Sequence, residues 1–301
     1  MSAAADRLSP GAGRSTDPRR GTFLLLSLPA AIALTVFLVL PIAFMVALSF
    51  RADLNGTLLA PFAPTFKQYD KLLGTPSYWN LLGISTLIAF GVATIATVLA
   101  YPLAYFLAFR AGKRAGLYLI LLLVPFWTSY LLRVMAWKLM LGESGVINSV
   151  LLATGVVEHP LDALLYNRFS VIVTLVYVWI PFAMLPILAA MGRIEVRLHE
   201  AAADLYASPW QQLVRITLPL SLPGVIAAFF MVFIPTVGEY VTPLLVGGTG
   251  GTMYGNIVQA FFVQAANWPL GAALSVVMLA ATLVLVVIGL RIVQPRRLLG
   301  Q

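Results

Sequence analysis

The sequence contains no cysteine, which excludes disulfides, thiolate metal sites and a cysteine nucleophile. Histidine is nearly absent as well. His159 and His199 stand far apart, with no carboxylate cluster beside either, so a histidine-built metal site is not expected. Charge is scarce for the length: 10% of the 301 residues are charged and 60% are hydrophobic, whereas a soluble domain keeps about a quarter of its residues charged. So few charges cannot cover a water-facing surface, and lipid is therefore the solvent for most of the chain. No GxxxxGK[ST], GxSxG or HExxH pattern occurs, so a P-loop, a nucleophile elbow and a zincin helix are all missing. Gly247-Gly248-Thr249-Gly250-Gly251 is rich in glycine. It follows a long apolar segment, though, without the strand and helix that a phosphate cradle needs, and it reads as a flexible loop. No cofactor, metal or covalent chemistry is expected of this chain.

What is present is six apolar segments, approximately 22–50, 79–109, 116–141, 169–191, 220–246 and 269–293. Each is long enough for the roughly 20 helical residues that cross a hydrocarbon core. Continuous apolar runs beyond about 18 residues read as helices, whereas a barrel would show alternating segments of about ten. The expected fold is an all-α integral membrane protein with six transmembrane helices. A tail at 1–21, with Pro10, Gly11, Gly13 and Pro18, reads as disordered, the membrane domain as 22–293, and a second tail as 294–301. The first apolar run exceeds the 7–15 residues of a signal-peptide core and is read as an uncleaved helix.

The net charge of +8 follows topology better than nucleic-acid binding, which is not expected. Arg7, Arg14, Arg19 and Arg20 precede the first segment. Arg110, Lys113 and Arg114 follow the second, Arg193, Arg197 and Arg215 follow the fourth, and Arg291, Arg296 and Arg297 lie at the end. These four positions share one side, and the basic side is cytoplasmic, so both termini are expected inside. The opposite loops, 51–78 and 142–168, are long. Each reads either as an interfacial segment on the membrane surface or as a docking surface for an external partner.

Two places within this frame carry unusual residues. The longest polar interruption on the inner side, 192–219, reads GRIEVRLHEAAADLYASPWQQLVRITLP. It is a helix-forming stretch, a break at Ser208-Pro209 and a second helix-forming stretch. Ser208 suits the cap and Pro209 the first turn. The second place is Glu239, the only acidic residue deep in an apolar span. A charge there costs several kcal/mol unless it faces a cavity or a partner. Pro235, Gly238 and Pro243 flank it and can turn backbone carbonyls toward a cavity, as broken helices do at transport sites. A carboxylate among aromatics suits an ammonium group. Glu239 reads as a substrate-path residue, as a structural partner of Arg133, or as an interfacial charge. Trp127, Tyr130, Trp137, Tyr177, Trp179 and Tyr240 are the aromatics available on the outer halves of the spans in this reading, although Trp and Tyr also collect at membrane interfaces. Pro125, Pro181, Pro186 and Pro235 read as kinks that shape the bundle.

Glu200-Ala201-Ala202, followed by Ile216 and Leu218-Pro219, resembles the cytoplasmic "EAA" loop of binding-protein-dependent ABC permeases. Pro125-Phe126-Trp127-Thr128-Ser129-Tyr130-Leu131-Leu132-Arg133, Pro181 to Pro186, Gly238-Glu239-Tyr240-Val241-Thr242-Pro243 and Asn267-Trp268-Pro269 resemble the spermidine/putrescine permease group within it. The resemblance implies a transport subunit in the inner membrane that moves a polyamine or another small cationic or amino-acid-like solute. It also implies a coupling helix at Glu200, Ala201, Ala202, Asp204, Leu205 and Tyr206, and a substrate pathway at Glu239, Tyr240, Trp127, Tyr130, Arg133 and Trp179. The implied partners are two copies of an ABC ATPase, a second similar permease and a periplasmic or extracytoplasmic substrate-binding protein. The family usually has glycine where this chain has Tyr206. Either the turn is made differently here or the tyrosine ring packs against the ATPase. An ion-coupled secondary transporter is the competing reading, but it should show internal repeats and several intramembrane carboxylates. An intramembrane enzyme would need a nucleophile or metal constellation that two distant histidines do not supply.

Overall fold

The computed structural model describes residues 28–30, 32–52 and 64–293. The tails expected at 1–21 and 294–301 lie outside these residues. No strand occurs among the described residues, and Arg51 and Pro64 form an isolated antiparallel bridge. Among the described residues, five helices are long and apolar enough to cross a membrane, or six if one bent pair counts as a single span. The chain divides into two compact units, Met1–Leu48 and Ser49–Gln301.

The described part of the first unit is an apolar helix, α1 (Leu28–Ser49), with a π-helical turn at Thr35–Val39. It carries no charged side chain.

The second unit begins with a short helix, α2 (Lys67–Leu73). Its core is three spans that pack most extensively on one another: α3 (Pro76–Arg110), α7 (Arg168–Met191) and α9 (Pro209–Val237). The reason is legible in α3, where Ser85, Ala89, Ala93, Ala96, Ala100 and Ala104 recur along one face and are fully buried. Lipid offers no hydrophobic force between helices, so small residues that let backbones approach closely decide which faces meet. Gly224 does the same for α9. A Cβ there would lie 2.5 Å from both Ala190 Cβ and the Pro186 carbonyl oxygen of α7. At the start of α7, Asn167 and Ser170 form a reciprocal cap.

The third apolar segment departs from the continuous helix that its hydropathy suggests. It is a bent pair, α4 (Gly112–Trp127) followed by a run over Tyr130–Ala153, turned by 85°. That run comprises α5 (Tyr130–Leu141) and α6 (Val146–Ala153). Pro125 opens a 3-10 turn at Val124–Trp127, Thr128 and Ser129 are extended, and the Thr128 hydroxyl donates to the Pro125 carbonyl at 2.7 Å. Proline cannot donate to the helical ladder, and the threonine satisfies a carbonyl freed by the break.

The polar interruption at 192–219 forms α8 (Val196–Asp204) and the first turns of α9. Beyond α9 the fifth segment also breaks. A helical turn, α10 (Pro243–Gly247), follows Gly238–Val241, and then come α11 (Tyr254–Val263) and α12 (Trp268–Val293). The helix α11 is not evident in the sequence pattern. It is held by Tyr254, whose N–H donates to Ser85 Oγ at 2.7 Å and whose hydroxyl donates to the Leu274 carbonyl at 3.2 Å. Tyr254 packs in a second buried cluster with Leu72, Leu82, Leu270 and Leu274. The glycine-rich run is a defined turn rather than a free loop. Gly251 N–H bonds to the Gly247 carbonyl, Arg168 Nε donates to the Gly250 carbonyl, and Ser170 Oγ donates to the Val246 carbonyl.

Candidate functional sites: two facing breaks and an exposed helix

The breaks in the third and fifth segments face each other. Tyr130, the first residue of α5, shares a 2.6 Å hydrogen bond with Thr242, just before α10. Glu239 sits in the second break, half-buried. Its Oε1 accepts the backbone N–H groups of Val241 (2.9 Å) and Thr242 (3.1 Å). The carboxylate thus caps the helical turn that restarts the chain, a place where negative charge is favoured. It also lies close enough to the Tyr130 hydroxyl to interact with it. The approach of α11 is equally close: a Cβ on Gly255 would lie 2.6 Å from the Gly238 carbonyl oxygen and 2.7 Å from that of Glu239. Asn256 donates to the Tyr240 carbonyl at 2.8 Å.

Arg133 lies one helical turn beyond Tyr130. Its guanidinium carbon is 4.9 Å from the Phe126 ring centre and 5.9 Å from that of Tyr130. Nε and Nη1 are buried without a hydrogen-bond partner, and no ion pair joins Arg133 to Glu239. Phe126 continues the aromatic contacts to Tyr177 and Phe182, and Phe182 to Trp179. The structure therefore gathers Glu239, Tyr130 and Arg133 directly and Trp179 through two phenylalanines. Trp127 stands apart, with 83% of its surface exposed, and the Tyr240 side chain is also exposed. Thr242, Phe126 and Phe182 complete the cluster but were not singled out as pathway residues. Their one signal in the sequence is that they share the proline-containing stretches with residues that were.

The second site is α8 and the turn that follows it. The helix ends with Tyr206 at φ +57°. Tyr206 N–H bonds to the Ala203 carbonyl (2.9 Å) and Ala207 N–H to the Ala202 carbonyl (3.0 Å). That is the paired closure of a Schellman end, which ordinarily takes glycine at the left-handed position. The turn is thus made in the usual way, with a tyrosine in it. Ser208 then caps α9 through a reciprocal pair with Gln211, and Pro209 stands in its first turn. Leu205, Tyr206 and Trp210 are 82%, 97% and 70% exposed, and Glu200, Ala201 and Asp204 are exposed too. Ala202 is half-buried.

Residues 18–298 match the family described as binding-protein-dependent transport system inner membrane component. Two relatives are spermidine/putrescine transport system permease proteins PotB. The one from Haemophilus influenzae is 34% identical over 248 residues, covering 81% of this chain and 84% of that protein. The one from Escherichia coli is 35% identical over 244 residues, covering 81% and 87%. In three dimensions the chain is similar to a chain of a bacterial ABC transporter that imports the polysaccharide alginate. The TM-score is 0.67 at 17% identity, with 91% of this chain and 96% of that one covered. The chain belongs to the binding-protein-dependent transport system inner membrane components. It is a multi-pass permease subunit of an ABC importer in the inner membrane, a transport component and not an enzyme.

Proposed function

We propose that this chain forms one half of the pathway by which an ABC importer moves spermidine or putrescine, paired with a second, similar permease. The observation that carries the substrate reading is the identity of 34–35% with spermidine/putrescine permeases over four-fifths of the chain. The cluster at the facing breaks is chemically suited to it. Glu239 supplies negative charge and Trp179 an aromatic face for an ammonium group, while the Phe126 and Tyr130 rings face the Arg133 guanidinium. In this reading both termini and α8 are cytoplasmic, following the basic segments. Two ATPase copies serve the complex, with one docked on Glu200, Ala201, Ala202, Asp204, Leu205 and Tyr206. A periplasmic binding protein delivers solute to the opposite loops. Closure of the ATPases moves α8 as a rigid body and reorients the spans.

The test is uptake of labelled spermidine and putrescine by cells carrying the complete transporter, comparing wild type with Glu239→Gln and Glu200→Ala. Glutamine keeps the carbonyl that caps Val241 and Thr242, so assembly should persist while polyamine uptake falls about tenfold, the effect of about 1.4 kcal/mol. Loss of uptake in Glu200→Ala with normal assembly supports docking through α8. A wild-type transporter that hydrolyses ATP in response to its binding protein but moves no polyamine overturns the substrate reading and leaves the permease assignment intact.

A further inference from the structure

The helix α8 lies loosely on the bundle. A cleft of about 450 Å³ opens where it meets the ends of α7 and α9, lined by Ala190, Arg193, Glu195, Leu198, Leu220 and Pro223. The cleft is open to the surface and meets α8 at Leu198, so a push on that helix can be absorbed locally instead of reaching the spans. Among the described residues, one side-chain hydrogen bond ties α8 to a span: His199 Nε2 to Thr217 Oγ1 of α9, at 3.0 Å. The same ring packs on Phe109 of α3, with centroids 4.9 Å apart. His199 therefore touches both α3 and α9 at their ends nearest α8.

Three further observations converge on this ring. First, both of its partners sit in π-helical turns, Phe109 in Phe106–Arg110 and Thr217 in Leu213–Thr217. Such turns are rare in regular helices and concentrate at functional sites. Second, Nε2 is taken up by the Thr217 hydroxyl, while the other ring nitrogen, Nδ1, is buried without a hydrogen-bond partner. A ring used only for filling space would not need an orphaned nitrogen, so the contact has a cost that its position must justify. Third, the same two spans meet again deeper in the bundle, where the Tyr101 hydroxyl of α3 is 3.1 Å from Ser221 Oγ of α9. Ser221 lies one turn beyond Thr217, so movement delivered at Thr217 and Phe109 enters a pair of spans already joined.

We propose that His199 is a positioning residue that transmits movement of α8 to α3 and α9 together. The proposal rests on the reading of α8 as the helix that docks the ATPase. Without the ring, α8 moves into the cleft, and ATP hydrolysis proceeds while the spans respond weakly.

The experiment uses the complete transporter in proteoliposomes, with ATP hydrolysis and spermidine uptake measured on the same preparation. His199→Ala should lower solute moved per ATP hydrolysed about fivefold or more, with ATPase affinity unchanged. Thr217→Val, which removes only the hydroxyl, should do the same to a smaller extent. His199→Gln, which returns an amide able to pair with the Thr217 hydroxyl, should recover part of the ratio. The double variant His199→Ala/Thr217→Val should be no worse than His199→Ala. Because the chain has no cysteine, Ala203→Cys, at an exposed position of α8 outside the proposed docking residues, gives a single site for cross-linking to the ATPase. Absence of that cross-link in an otherwise active transporter overturns the docking reading, and this inference with it. With the cross-link formed, an unchanged ratio in His199→Ala overturns the transmission role alone. So does a proportional loss of uptake, hydrolysis and ATPase binding, which marks a merely structural residue.

Discussion

Replacing Tyr206 by glycine separates two effects that are usually confounded. Tyr206 holds φ at +57°, a region that costs a residue bearing a Cβ about 1 kcal/mol or more. Glycine removes that strain but adds freedom to the unfolded chain, which returns about 0.4–1 kcal/mol. The side chain itself is 97% exposed, so its loss removes almost no packing within the chain. The Schellman bonds from Tyr206 and Ala207 are made by backbone and survive. Tyr206→Gly should therefore leave the thermal stability of the purified permease unchanged or raised by up to about 0.5 kcal/mol. If the ring docks on the ATPase, the variant gives up a side chain that can bury about 150 Å² or more. Burial of a large side chain contributes about 1.5–3 kcal/mol, or roughly a 10- to 100-fold change in affinity. The assay is a melt of the detergent-solubilised permease, run beside an equilibrium binding curve for the ATPase. A loss of more than about 1 kcal/mol in stability would refute the account of the turn. Unchanged ATPase affinity would refute the docking of the ring while leaving the turn intact.

Two other predictions concern the bundle. Gly224→Val should destabilise the permease by about 1–3 kcal/mol or prevent its assembly, because a Cβ there meets Ala190 and the Pro186 carbonyl at 2.5 Å and α7 and α9 must separate to admit it. A thermal melt after matched purification measures this. Tyr130→Phe breaks the 2.6 Å bond to the buried Thr242 hydroxyl and should cost about 1–2 kcal/mol. The double variant Tyr130→Phe/Thr242→Val should be less than additive, with a coupling of about 0.6 kcal/mol or more. Strict additivity would show that the two breaks are not clamped by this pair.

Most of the architecture was legible because hydropathy is a local sum. Five of the six apolar segments appear as long helices, and the polar stretch at 192–219 folds as two helices separated at Ser208-Pro209. The capping chemistry of those two residues is carried by immediate neighbours, so it could be read directly. The departure at Tyr206 was legible too, because one missing glycine at a left-handed position needs no partner to be noticed.

What the sequence could not determine depends on groups far apart along the chain. Hydropathy runs straight through Pro125–Ser129, since apolar residues on both sides of a bend sum as one segment. The bend holds because Thr128 satisfies a carbonyl locally and Tyr130 reaches Thr242, 112 positions away. The helix α11 exists because Ser85, 169 positions away, meets the N–H of Tyr254. Glu239 reads from sequence as a costly charge awaiting a partner, but the fold supplies two backbone N–H groups through a turn visible only once the helix breaks. His199 reads as an isolated histidine until α3 and α9 bring Phe109 and Thr217 to it. Composition and local order thus determined that this chain lives in lipid as a bundle of helices with a polar, capped interruption. Only tertiary packing decided where the spans break, because an unpaired backbone group in a membrane must find a partner and that partner need not be near in sequence.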